Sequence, residues 1–337
     1  MFLKTLNELG INTDFSSSSL YSYDRNPFEP IAIGKPLLIR FHTIYLGDIG
    51  TNIFKSKKDI LVCSAIKDDS TFEAAPRAIN QLYHRQTGRQ LLSPSALNKG
   101  TPIMYYNDSF DKDSLNISIE IKADNFNQSI FDEFSKCLEL SANVPIFSAF
   151  SSFLLVGSQL VKSGSEIVNI LSDNKPPLLS FDFNIVNGIG GLINTNAGFV
   201  IGFNSDDQNE FQKYTITDLN NNNQLALVKN GKPYSGAKPY FIMSMDGANR
   251  VELNNFSSTL ANSAMLKKFY GFHENPPLSE IANIAKIQQD YSYAKKIQKV
   301  KTELLSASPT VERSIILNQL LNAYKANIND KAIFDVS

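Results

Sequence analysis

Two cysteines and three histidines carry most of the nucleophilic and basic chemistry open to this chain of 337 residues. Cys63 and His42 fall in two strand-like segments that follow one another, so a thiolate with an imidazole base beside it is the first arrangement to weigh. Such a pair needs hydrogen-bond reach and a third group to orient the base. No protease-type signature surrounds either residue, and the ordinary reading of Cys63 and Cys137 is two buried free thiols. His84 and His273 read as surface residues at loops or helix ends.

Carboxylates offer a second chemistry. Asp108, Asp111 and Asp113 form one acidic loop, and Asp206, Asp207 and Glu210 form another. Hard cations favour such oxygen sets, which makes Asp111, Asp113, Asp206 and Asp207 the metal candidates. Loop acids are more often simply solvated. The stretch from Asp218 opens like an EF-hand loop, but Asn223 replaces the required glycine and Lys229 the final glutamate. Gly188, Gly190 and Gly191 follow a strand as in a dinucleotide turn, but Ile193 stands where a third glycine belongs and no helix pattern follows. No phosphate-binding loop motif occurs, and no cofactor is expected. Arg77, His84, Arg85 and Arg89 make a basic cluster, read as a solvated helix face.

The elements that must position these residues are mostly strands. Leu37–Leu46, Asp59–Lys67 and Pro102–Tyr106 are rich in β-branched and aromatic residues. In Leu115–Lys122 and Leu179–Val186 apolar and polar residues alternate, so one face is buried and one is wet. Gly198–Asn204, Tyr214–Thr217, Leu225–Lys229 and Tyr240–Asp246 complete the set, with Asn230-Gly231 a hairpin turn. A short helix is expected over Phe72–Gln86, with Ala75, Ile79, Leu82 and Tyr83 on one side.

Two central helices are expected over Ser129–Leu140 and from Pro145 to Leu171. Leu140–Val161 carries no charge. It is long enough to span a bilayer, but serines and Gln159 at helical spacing mark a polar edge, which suits a buried helix better. Pro145 to Leu171 is therefore the segment on which a membrane reading rests. Towards the C-terminus, Pro276-Pro277 precedes a long helix with a stripe of Ile281, Ile284, Ile287, Tyr291, Ala294, Ile297, Val300 and Leu304. Ser308 and Pro309 read as the cap and first residue of a second helix, with Val311, Ile315, Leu317, Leu320, Leu321 and Tyr324 as its apolar face.

Strands without strand–helix alternation argue for an α+β fold: an antiparallel β-sandwich, C2-like by analogy alone. The expected organisation is an irregular arm over 1–34, a sandwich over 35–250 with a helical insertion at about 128–172, and a C-terminal helical hairpin within 251–337. With 32 basic and 33 acidic residues, nucleic acid is not an expected partner. The opening segment lacks a signal-peptide apolar region, so the protein is expected in the cytoplasm or exported without a cleaved signal. Asn, Lys, Ile and Ser usage hints at a bacterial source. These readings favour a non-enzymatic protein-interaction or assembly component, a bacterial effector or part of a multi-protein complex. The alternatives are a membrane-active or lipid-binding protein and a hydrolase of unrecognised type.

Overall fold

The computed structural model describes residues 4–5, 28–49, 57–67, 77–94, 102–112, 114–126, 176–186, 197–204, 207–219, 224–250, 253, 278–306 and 309–332. The expected central helices, including Pro145 to Leu171, and Cys137 lie outside them, as do Asp113, Asp206 and Ser308.

Thirteen strands occur among the described residues, in chain order β1 Lys4–Thr5, β2 Leu37–Tyr45, β3 Lys58–Lys67, β4 Arg77–Gln86, β5 Leu91–Leu92, β6 Ile103–Asn107, β7 Ser114–Asp124, β8 Leu179–Val186, β9 Gly198–Phe203, β10 Thr215–Leu219, β11 Gln224–Lys229, β12 Lys232–Pro233 and β13 Tyr240–Asp246. The largest sheet runs β1-β9-β13-β2-β5, with β6 also paired to β2. A second runs β4-β3-β7-β8, and a small third runs β10-β11-β12. Every pairing is antiparallel. This is the sandwich-like α+β architecture the strand pattern predicts.

The large sheet is the middle layer. On one face Leu37, Ile39, Phe41, Val200, Phe241, Met243 and Met245 meet Ile60, Val62, Ile117, Ile119, Phe181 and Ile185 of the second sheet in one core. Phe181 of β8 stands edge-on to Phe241 at 5.2 Å, and Phe241 edge-on to Phe41 at 5.7 Å, so aromatic rings stitch the two sheets together. On the other face Tyr45, Ile201, Phe203, Tyr240 and Ile242 meet Phe211, Ile216, Leu225, Leu227 and Tyr234 of the small sheet and its short helix α1 (Gln208–Phe211). Alternate residues of β13 thus enter two different cores, and all seven are buried. A strand covered on both faces loses the apolar–polar alternation that marks a half-buried one.

The expected helix over Phe72–Gln86 is a correction: its described part, Arg77–Gln86, is β4. The pairing of β3 with β4 shifts register twice, so Asn80 is an extra residue opposite Val62–Cys63, and a second irregularity falls beside Arg85, whose φ is 51°. Bulges break the period of two. Asn80, Gln81, Leu82 and Tyr83 are consecutively buried, which leaves apolar residues at helix-like spacing. The Asn230-Gly231 turn is as expected. Both residues have positive φ, 52° and 72°, and Lys229 pairs with Lys232 across a two-residue hairpin.

Two long helices follow, α2 (Leu278–Ser306) and α3 (Val311–Ala326). The cap of α3 is Thr310, whose hydroxyl oxygen accepts from Arg313 N at 3.2 Å, and Pro309 precedes the helix instead of opening it. Arg313 crosses to Glu303 with Nε and Nη2 at 2.9 and 2.7 Å from one carboxylate oxygen, tying the helices near their link. The expected α2 stripe does not stay inward. Tyr293, Ile297 and Val300 are buried while Ile287 and Tyr291 are exposed. Its spacings are mostly three, shorter than the helical repeat of about 3.6, so the stripe winds around the helix. On α3, Leu317 and Leu320 are buried while Val311 and Ile315 face out.

Candidate functional sites on the sandwich and the helical hairpin

His42 and Cys63 stand on different sheets. Cys63 alternates with the core residue Val62, and so points away from the sandwich interior on the second sheet. His42 occupies a bulge of β2, where Ile242 pairs with Thr43 and Met243 with Phe41. Its ring points to the other side of the large sheet, edge-on to Phe199 at 5.3 Å. With sheet faces about 10 Å apart and both side chains turned outward, the candidate thiol–imidazole pair does not form. What His42 meets instead is Ser244: Nε2 and Oγ are 2.8 Å apart. Its dense surroundings first, and the nearby Arg40 charge second, push the imidazole pKa down to about 3. Such a base is neutral but weak at neutral pH, far from the matched value a general base needs. Sequence reasoning missed Ser244, which is 202 positions away.

Asp111 lies between the sandwich and the hairpin. It follows β6 in a loop fastened by Phe110 N to Lys35 O (2.7 Å) and Gly34 N to Phe110 O (2.8 Å). Its carboxylate is fully buried, with Lys112 Nζ 3.6 Å from Oδ1 and Lys296 Nζ of α2 3.4 Å from Oδ2. Lys296 also sits over the rings of Tyr293 and Tyr324, at 5.0 and 5.1 Å. Desolvation, then Lys112, lower the Lys296 pKa. Burial, then Asp111, raise that of the Tyr293 phenol. Close by, Asn327 Nδ2 donates to Ser109 O at 2.7 Å. Within the hairpin, the buried Asp290 accepts from Asn329 N, Asn329 Nδ2 and Asp330 N at 2.8, 2.9 and 2.9 Å. These carboxylates hold the molecule's own parts together. A buried charge with several partners is what such a role requires.

Asp207 is also buried and lies 3.0 Å from Lys238 Nζ. Near it, Tyr234 Oη donates to Glu210 at 2.8 Å and accepts from Lys238 N at 3.2 Å. Asp111 and Asp207 thus belong to separate places, Asp111 with two lysines and Asp207 with one. Among the described residues no three His, Cys, Asp or Glu side chains gather as a cation set.

The basic cluster is not a helix face. Arg89 makes a bidentate exposed pair with Asp48, at 2.7 and 3.2 Å. His84 Nδ1 lies 2.9 Å from Asp59, a buried carboxylate that also accepts from Arg85 N (2.8 Å) and Phe126 N (2.9 Å). That carboxylate satisfies the backbone where β4 is irregular. Gly47 is needed beside this pair: its φ is +59°, and any Cβ would collide with Ala237 O.

The hairpin presents a different kind of surface. Among the described residues the large exposed apolar side chains are Ile287, Tyr291, Leu305, Val311 and Ile315, between 54% and 88% exposed, and all lie on α2 or α3. Among the described residues no helix is long and apolar enough to cross a membrane. No protein-family model matches the chain, and no curated protein matches it in sequence.

Proposed function

We propose that this protein works by binding another protein, as a component of a multi-protein assembly or as a delivered effector, and that the C-terminal hairpin makes the contact. The observation that carries this reading is the segregation of exposed apolar side chains. Among the described residues, the large exposed apolar side chains Ile287, Tyr291, Leu305, Val311 and Ile315 lie on the two helices, while the apolar residues of the sheets are gathered into buried cores. Exposed apolar groups concentrated on one element mark interaction surfaces, and Tyr and aliphatic anchors contribute most there. The hairpin is also held in a defined pose, by Asp111–Lys296 and Asn327–Ser109, so little ordering entropy is lost on docking.

The test is affinity capture with the tagged full-length protein from its source cells, wild type beside Tyr291→Asp and Val311→Asp. These positions are exposed, so both variants should keep the wild-type circular dichroism and melting temperature. Loss of a stoichiometric protein partner in either variant supports the reading. Full retention in both refutes it.

A further inference from the structure

We propose that the outer face of α2 receives an acidic, amphipathic segment of a partner protein; this rests on the protein-binding reading above and specifies its chemistry. Ile287 and Leu305 are 18 positions apart, close to five full turns, so they share one line about 27 Å long. Tyr291, Lys295 and Lys299 climb from Ile287 in steps of four, each turning about 40° round the helix to one side of that line, and all are exposed. Lys295 Nζ lies 4.6 Å from the Tyr291 ring centroid, which places a cation on an aromatic anchor. The acids of α2 whose side chains the structure describes are both engaged elsewhere. Asp290 is buried and holds Asn329 and Asp330, and Glu303 holds Arg313. The face is therefore apolar at Ile287, Tyr291 and Leu305 and cationic at Lys295 and Lys299. Gln298 and Thr302, both exposed, interrupt the apolar line. A lipid surface is served by a broad apolar face, whereas a narrow seam bordered on one side by cations suits a helix or strand carrying Asp or Glu beside apolar anchors. Complementary charge would steer the encounter and set its register.

Zero-length carbodiimide coupling joins an amine to a touching carboxylate and tests this directly. Tagged full-length protein is incubated in source-cell extract, coupled, and the junctions are identified by mass spectrometry. The expected result joins Lys295 or Lys299 to an Asp or Glu of a partner. Affinity for that partner should drop at least tenfold in K295E/K299E and less in K295Q/K299Q, with the melting temperature unchanged. A partner lost in Tyr291→Asp but bound normally by K295E/K299E overturns the acidic chemistry and leaves the protein-binding reading standing. Charge-dependent sedimentation with phosphatidylserine vesicles, without any coupled protein, also overturns it. Retention of every partner in all these variants removes both readings.

Discussion

The large sheet and the helical hairpin solve opposite problems. In β13 every side chain is buried, alternate residues entering separate cores. In α2 and α3 the buried residues form a narrow inner face, and large apolar groups remain in water on the outer one. Directed contacts tie hairpin to sandwich, Lys296 to Asp111 and Asn327 to Ser109, with Lys112 also set over the Tyr293 ring at 5.9 Å. The difference separates a scaffold, whose stability comes from removing apolar area from water, from an appendage whose placement depends on a few directed contacts. Apolar burial is non-directional and tolerant, whereas directed contacts fail one at a time.

Four measurements break or sharpen that contrast. The largest effect is expected from Phe181→Ala, which empties a site shared by both sheets; unfolding stability should fall by about 3–5 kcal/mol and all described strands should lose protection together. Asp290→Ala should cost about 2–3 kcal/mol, because three donors lose one charged acceptor. Amide exchange should rise in α2, α3 and the segment after them before it rises in β13, and uniform loss across the molecule would erase the distinction. His42 gives a smaller, pH-dependent effect. Its folded pKa lies near 3 against an ordinary 6.5, so below pH 6.5 the unfolded chain takes up a proton that the folded chain refuses. Stability should be intact above pH 6.5 and decline as pH falls towards 3, by at most about 2 kcal/mol at pH 5. Denaturant titrations of His42→Gln should show a shallower acid slope; an unchanged slope would mean the ring is not shielded. The smallest effect belongs to Arg89→Ala, since its pair with Asp48 is exposed and screened. The midpoint of urea unfolding should not move measurably.

How far the sequence carried depended on whether one face or two were buried. β7 and β8 bury one face of the second sheet, so Ile117, Ile119, Phe181 and Phe183 alternate with polar residues and the strands are legible. β4 is not, because its bulges move Asn80 and Arg85 out of step and a buried run results. The hairpin was legible as two helices, yet which residues of its stripes face inward was not, since a spacing near three carries a stripe around the axis. The contacts of the candidate residues were the least legible part. His42 meets Ser244, and Asp111 meets Lys296, across 202 and 185 positions. No local spacing encodes such encounters, and Cys63 and His42 are kept apart because strands that follow one another belong to different sheets.

The position of β13 has a consequence for how the chain is made. β2 can pair early with β5 and β6 on one edge, but its other edge is filled only by β13, about two hundred residues later in sequence. At roughly 5–20 residues per second, translation leaves that edge of β2 open for about 10–40 s. Nascent chains stalled before Tyr240 leaves the ribosome should stay protease-sensitive throughout, and those stalled well beyond Asp246 should not. The large sheet thus closes late, on a strand made well after its neighbours.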